Sequence, residues 1–198
     1  MLINEYLPEF DVAERHAVTV AAPAERTWEA VRRLDLSRSP SVRILFALRG
    51  LPWALLRRPS SANPGPRRRG RRWTARIDDF VRGGFVVLGE DPGAELLLGV
   101  VGRFWRPTGG LRRIAAEEFE RFSDSGYAKA AWNLCVEARG DDASVVWTET
   151  RIGCTDERAR RRFLLYWAVI GPASGFIRKR ALSLVKRDAE ASPGRGYH

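Results

Sequence analysis

Two stretches of the chain place apolar residues with the period of a β-strand, and one repeats them with the period of a helix. Phe85 to Glu90 and Ala94 to Trp105 are apolar runs joined at Asp91-Pro92-Gly93, a turn sequence, which predicts a hairpin. If Glu90 faces Glu95, then Phe85, Val87, Gly89, Leu96, Leu98, Val100, Gly102 and Phe104 share a face without a polar side chain. The opposite face mixes Val86, Leu88, Leu97 and Val101 with Glu90, Glu95, Arg103 and Trp105. A second hairpin is predicted for Tyr127 to Arg139 and Ala143 to Gly153, around Gly140-Asp141-Asp142. In it Trp132, Leu134 and Val136 alternate with Asn133, Cys135 and Glu137, and Trp147, Glu149 and Arg151 lie opposite Val146, Thr148, Thr150 and Ile152. The pattern leaves the register open, and with it which faces coincide.

The helical period comes last. Phe163, Trp167, Ile170, Ser174, Ile177, Ala181 and Leu184 recur at alternating steps of four and three, one continuous stripe. Thr155 suits the N-cap, and Asp156 and Glu157 suit the positive end of the helix dipole. Gly171-Pro172 in the middle predicts a kink or break. Near the start, the β-branched run His16 to Ala21 predicts a strand, and Pro23 followed by Trp28, Val31 and Leu34 predicts a helix over 23–35. Val42 to Leu56, interrupted by Gly50 and Pro52, reads as a broken helix, and 111–122 as a short helix at 115–122. No internal repeat is present.

Length and composition bound these elements. A chain of 198 residues with 44% hydrophobic content fits one domain with a sizeable core. No apolar run approaches a membrane span, and the N-terminus lacks the basic and apolar regions of a secretory signal. Cys135 and Cys154 are too few for a disulfide framework, so a reduced, cytoplasmic protein is expected.

The net charge of +10 is local. Eight arginines (57, 58, 67, 68, 69, 71, 72 and 76) fall between Arg57 and Arg76 with no acid among them. The surrounding Pro59 to Arg72 has no aliphatic side chain larger than alanine, so it cannot build a core. The expectation is one domain over 1–190 with an Arg-rich flexible insertion at about 57–73, and a disordered tail over 191–198. Arg67, Arg68, Arg69, Arg71 and Arg72 are candidate contacts for phosphate or another anion. A solvated insertion is the simpler reading; nucleic acid is not expected as a partner, and weak association with an anionic membrane is kept beside it.

Catalytic constellations are scarce. His16 is the one histidine besides His198, so a Ser-His-Asp triad would have to use it, and a surface or packing role is the simpler reading. The cysteines lack metal-ligand spacing, and neither a phosphate loop nor a dinucleotide fingerprint occurs. No catalytic residue, metal or cofactor is assigned. Glu149 and Arg151, on one strand face beside Trp147, form either a pocket pair or an outer salt bridge. Glu90, Glu95 and Arg103 carry the same two readings.

The order strand, two short helices, antiparallel meander, long C-terminal helix resembles the START-like (SRPBCC) superfamily, which includes polyketide cyclases/dehydratases and lipid-transport domains. Val18-Thr19-Val20-Ala21-Ala22-Pro23-Ala24-Glu25-Arg26-Thr27-Trp28, Thr148-Glu149-Thr150-Arg151-Ile152, and Phe163, Tyr166-Trp167 and Ile170-Gly171-Pro172 are similar to its bacterial members. The resemblance implies an α+β helix-grip fold: an antiparallel sheet wrapped around the C-terminal helix, with a cavity between them. Five strands are predicted, where that superfamily usually has six or seven. The implied function is binding or carrying a small hydrophobic molecule such as a lipid or polyketide, and the lack of a convincing catalytic set points to a role without catalysis. The candidate cavity residues are Phe85, Val87, Leu96, Leu98, Val100, Phe104, Trp132, Trp147, Glu149, Arg151, Phe163, Tyr166, Trp167 and Ile170. The first alternative is a cyclase or dehydratase using Glu149, Arg151 or Tyr166 as acid–base groups. The second is nucleic-acid or anionic-membrane association through the Arg-rich loop; oligomeric state is left open. That second alternative predicts binding that weakens steeply with salt and disappears when residues 67–72 are deleted, as read by titration with a labelled oligonucleotide or anionic vesicles.

Overall fold

The computed structural model describes residues 1–43, 74–106 and 110–191. Its strands are β1 (Val12–Val20), β2 (Val86–Asp91), β3 (Glu95–Gly102), β4 (Ala128–Ala138) and β5 (Ser144–Cys154). They form one sheet in the order β1-β5-β4-β3-β2, antiparallel at every step. Three neighbouring pairs are also neighbours in sequence, with Gly93 (φ +90°) and Gly140 (φ +79°) supplying the left-handed turn positions of the two tight hairpins. The fourth pair closes the first strand onto the last. The helices are α1 (Leu2–Tyr6), α2 (Ala24–Arg32), α3 (Ile77–Arg82), α4 (Ala116–Phe119) and α5 (Glu157–Glu190). No described helix is long and apolar enough to cross a membrane.

The sheet is covered on both faces. On the inner face α5 and α2 lie over β1, β4 and β5, burying Val20, Val31, Leu36, Leu134, Val136, Val146, Leu182 and Val185 together. On the outer face α1 and α4 bring Ile3, Leu7 and Phe119 against Leu88, Leu97, Val101 and Ala131. This explains why every residue of β3 is buried. The outer face of the first hairpin was expected to mix apolar with charged side chains; its apolar members instead build a second core. The N-terminal residues that cover it carry no period long enough to read.

The register of the first hairpin differs from the expected one. Glu90 faces Leu96, and Asp91 faces Glu95. A bulge between Val87 and Gly89 takes up the extra residue, so Val87 pairs with Leu98 on the inner face while Leu88 and Gly89 turn outward. Gly89 belongs there: a Cβ would come within 3.1 Å of Leu2 Cδ1. The single unbroken apolar face is therefore split at the bulge.

The long helix starts one residue later than expected. Asp156 is its N-cap, accepting from the Ala159 amide at 2.7 Å, while Thr155 Oγ1 instead exchanges hydrogen bonds with the Tyr127 backbone. The helix also runs through Pro172 without a break. Pro172 and Ala168, whose carbonyl loses its usual partner there, both lie on the exposed side, so water can take that carbonyl. The Arg-rich insertion and the tail from 192 onward lie outside the described residues.

Asp156 also accepts from Ser125 Oγ at 2.7 Å and from the Gly126 amide, tying the β4 approach to the helix start. These hydrogen bonds, led by that from Ala159, hold its carboxyl down at about 2, below the usual carboxylate value of 3.8. A lowered folded-state value means stabilisation that is full above the unfolded pKa and lost as pH falls through the folded one. Asp156→Ala is expected to lower the melting temperature near neutral pH. The gap to the wild type should narrow from about pH 4 toward pH 2, as followed by circular dichroism.

Candidate functional site

The stripe on α5 is packed at both ends and hollow in the middle. Phe163, Ala181 and Leu184 are buried, whereas Trp167, Ile170, Ser174 and Ile177 between them are only half-buried. Beneath that span the sheet offers two cross-strand rows, Val100–Ala130–Ile152 and Leu98–Trp132–Thr150. Ala130 sits between two larger side chains and keeps the floor low. The result is a cavity of about 440 Å³ between sheet and helix, within the usual range for small-molecule sites.

Its wall is largely aromatic. Phe163 stacks on Trp167 with centroids 5.6 Å apart, Phe104 meets Phe163 edge-on at 6.4 Å, and Phe80 meets Trp132 at 5.7 Å. Trp132 Nε1 donates to Thr148 Oγ1 at 2.7 Å, so its polar end is already satisfied. The remaining polar wall consists of Tyr166, Thr150, Ser174 and Arg178.

Arg178 is the unexpected member. Its side chain is 8% exposed, donating from Nη1 to Ser174 Oγ at 2.8 Å and from Nη2 to the Glu14 carboxylate. Glu14 and His16 alternate on β1 toward the helix, and His16 Nε2 lies 2.8 Å from Glu14 Oε1. Burial pushes the Arg178 guanidinium down, and the Glu14 charge acts against that shift. The helix approaches closely here because residue 175 is glycine: a Cβ there would overlap the Glu14 carboxylate. His16, the expected surface or packing residue, thus belongs to a polar cluster behind the cavity. The sequence held a signal for this, a charged residue four positions after Ser174 on an apolar stripe.

Of the candidate cavity residues, Phe85, Val100, Phe104, Trp132, Phe163, Tyr166, Trp167 and Ile170 line the cavity. Leu96 and Leu98 pair with Leu134 and Trp132 on the inner face but are buried outside its wall. Val87 shares that face and is exposed at the sheet edge. Trp147, Glu149 and Arg151 do not reach the cavity, because their strand places them on the outer face opposite Thr148, Thr150 and Ile152. Leu36, Phe80, Leu111, Ala130, Thr150, Ile152, Ser174, Ile177 and Arg178 complete the wall and were not among the candidates. Several of these depend on long-range pairings that a linear pattern does not contain.

The outer pair has a structural task. Arg151 Nε donates to Glu149 Oε1 at 2.6 Å, and its Nη groups reach Leu7 O at 3.2 Å and Asn4 Oδ1 at 2.7 Å. Asn133 links the pair to Glu95, which accepts from the Leu2 amide at 2.8 Å. The network pins α1 over the second core. Glu90 instead takes Arg32 at the surface, and Arg103 donates to Gly126 O over the Tyr127 ring, so the expected polar corner of Glu90, Glu95 and Arg103 does not assemble.

Other chemistry has little support in the described residues. Burial pushes the Cys135 thiol up, and Cys154 up to about 12, which removes thiolate chemistry near neutral pH. No three of the His, Cys, Asp and Glu residues described lie together as a metal set. Arg67, Arg68, Arg69, Arg71 and Arg72 lie outside the described residues.

Five antiparallel strands gripping one long C-terminal helix are a helix-grip fold. It is the architecture implied by the START-like resemblance. No family model and no curated protein matches the chain. Solved structures do match it. The di-domain aromatase/cyclase BexL from the BE-7585A biosynthetic pathway aligns over 93% of this chain at 14% identity and a TM-score of 0.43; the chain spans about half of that protein, 48%. Hypothetical protein jhp0584 from Helicobacter pylori aligns over 94% of this chain and 93% of its own, at 11% identity and 0.41. The Zhui aromatase/cyclase from Streptomyces sp. R1128 aligns over 93% and 99%, at 15% identity and 0.33. With TM-scores below 0.5 these are distant likenesses, and the fold rests on the strand order and register above.

Removing one partner of the outer pair tests its structural role. Arg151→Ala leaves Glu149 buried without its cation and is expected to cost about 3 kcal/mol in urea unfolding. Adding Glu149→Gln should recover part of the loss, because the unpaired charge is then gone.

Proposed function

We propose that the protein binds a small apolar, aromatic-sized molecule in the cavity between sheet and helix and releases it unchanged. One observation carries this reading: a cavity of about 440 Å³ walled by apolar and aromatic side chains, with its few polar groups gathered mainly at one end. A cyclase or dehydratase would need acid and base groups converging on the bound molecule. Glu149 and Arg151 are on the far side of the sheet, and Tyr166 alone supplies no acid–base pair. The reading takes residues 1–190 as one domain.

The test is fluorescence titration with N-phenyl-1-naphthylamine, an uncharged apolar probe. Wild-type protein is expected to bind it with a blue shift and energy transfer from Trp132 and Trp167. Ala130→Trp, which raises the cavity floor, should weaken binding by at least about tenfold. Ile170→Trp fills the space from the helix side and should do the same, with the far-ultraviolet spectrum retained. Equal affinity in wild type and both variants would reject the cavity as the site.

A further inference from the structure

We infer that the end of the cavity formed by Thr150, Ser174 and Arg178 selects an uncharged ligand carrying a hydrogen-bond-accepting carbonyl oxygen. The inference rests on the binding reading above and names the class of molecule that the cavity holds.

The donors come first. A guanidinium has five N–H groups, and the described contacts of Arg178 engage two, one to Ser174 Oγ and one to Glu14. Its Nε N–H has no hydrogen-bond partner among the described residues but is sealed from the cavity as well as from water, so the donors left for a ligand are the second N–H groups of Nη1 and Nη2. Ser174 Oγ accepts from Arg178, which leaves its own O–H to donate. Thr150, the cross-strand partner of Glu14, adds a second hydroxyl beside them. The cluster is therefore rich in donors, and its one strong acceptor, Glu14, is already taken by Arg178 and His16.

The charge decides what those donors accept. Glu14 neutralises Arg178, so the cluster as a whole presents hydrogen bonds without net charge. A carboxylate lodged against it would bring an uncompensated charge between Phe163, Trp167 and Trp132, which such a wall disfavours. A neutral carbonyl takes the same hydrogen bonds without that penalty. A pure hydrocarbon fills the volume but leaves the donors as they are.

Three probes of nearly equal size separate these cases: 2-ethylnaphthalene, 2-acetylnaphthalene and 2-naphthoate. Each competes with N-phenyl-1-naphthylamine at about pH 8, where naphthoate is fully ionised. Wild-type protein is expected to prefer the ketone by at least about tenfold over the hydrocarbon, with the carboxylate weaker than the ketone. In the paired variant Glu14→Gln with Arg178→Met, which removes both charges together, the ratio of ketone to hydrocarbon affinity should fall to about one, whatever the change in overall affinity. Ser174→Ala, a milder change that keeps the ion pair, should cut the preference about threefold and covers the case in which the paired variant does not fold. Ketone and hydrocarbon binding alike in wild type would overturn the inference and leave the cavity reading intact. So would a preference that survives both variants, or tightest binding of the carboxylate. If none of the three displaces the probe, both readings fall.

Discussion

The seating of one long helix on one sheet governs the rest of the molecule. Where α5 crosses the edge strand β1, a buried arginine meets a glutamate and a glycine lets the two elements close. A buried ion pair is seldom retained for stability alone, since apolar residues of equal volume commonly serve as well. Here the pair and the glycine mark the height at which the helix crosses the sheet. With the ends of the stripe packed around Phe163 and around Ala181 and Leu184, that height leaves the middle unfilled. The cavity is thus a consequence of packing the helix at its ends over a floor lowered by Ala130.

The same sheet carries a second core on its outer face, and this accounts for the most conspicuous polar pair in the sequence. Glu149 and Arg151 look like site residues because they are charged and sit on a strand beside a tryptophan. The pair is spent on fastening α1, through Arg151 to Leu7 and Asn4 and through Asn133 and Glu95 to Leu2. Covering the outer face matters for β3, whose residues are buried on both sides and would otherwise expose Leu97 and Val101. Charge on one face serves fastening, and charge on the other serves the cavity.

The two polar clusters differ in what they leave over. On the outer face, Asn133 and Glu95 satisfy each other and the α1 backbone. On the inner face, the second N–H groups of the Arg178 Nη1 and Nη2 atoms and the Ser174 hydroxyl remain as donors beside a space with few other polar groups. A protein that only had to fold would gain from filling that space or from pairing those donors. Their persistence together is the physical ground for reading the inner cluster as recognition.

Much of this architecture was legible from residue order. The turns at Asp91-Pro92-Gly93 and Gly140-Asp141-Asp142 need left-handed glycines, and a stripe at steps of four and three can only be one helix face, so both hairpins and α5 follow from local chemistry. The helix's contribution to the wall follows too, because Phe163, Tyr166, Trp167 and Ile170 ride on that face. What lay beyond it was set by contacts between residues far apart in the chain. The bulge after Val87 shifted a register, the pairing of β4 with β5 decided that Thr150 and not Glu149 faces inward, and the crossing at Gly175 brought Glu14 to Arg178 across 164 residues. Periodicity says which residues share a face; only the packed sheet and helix decide which face is inside.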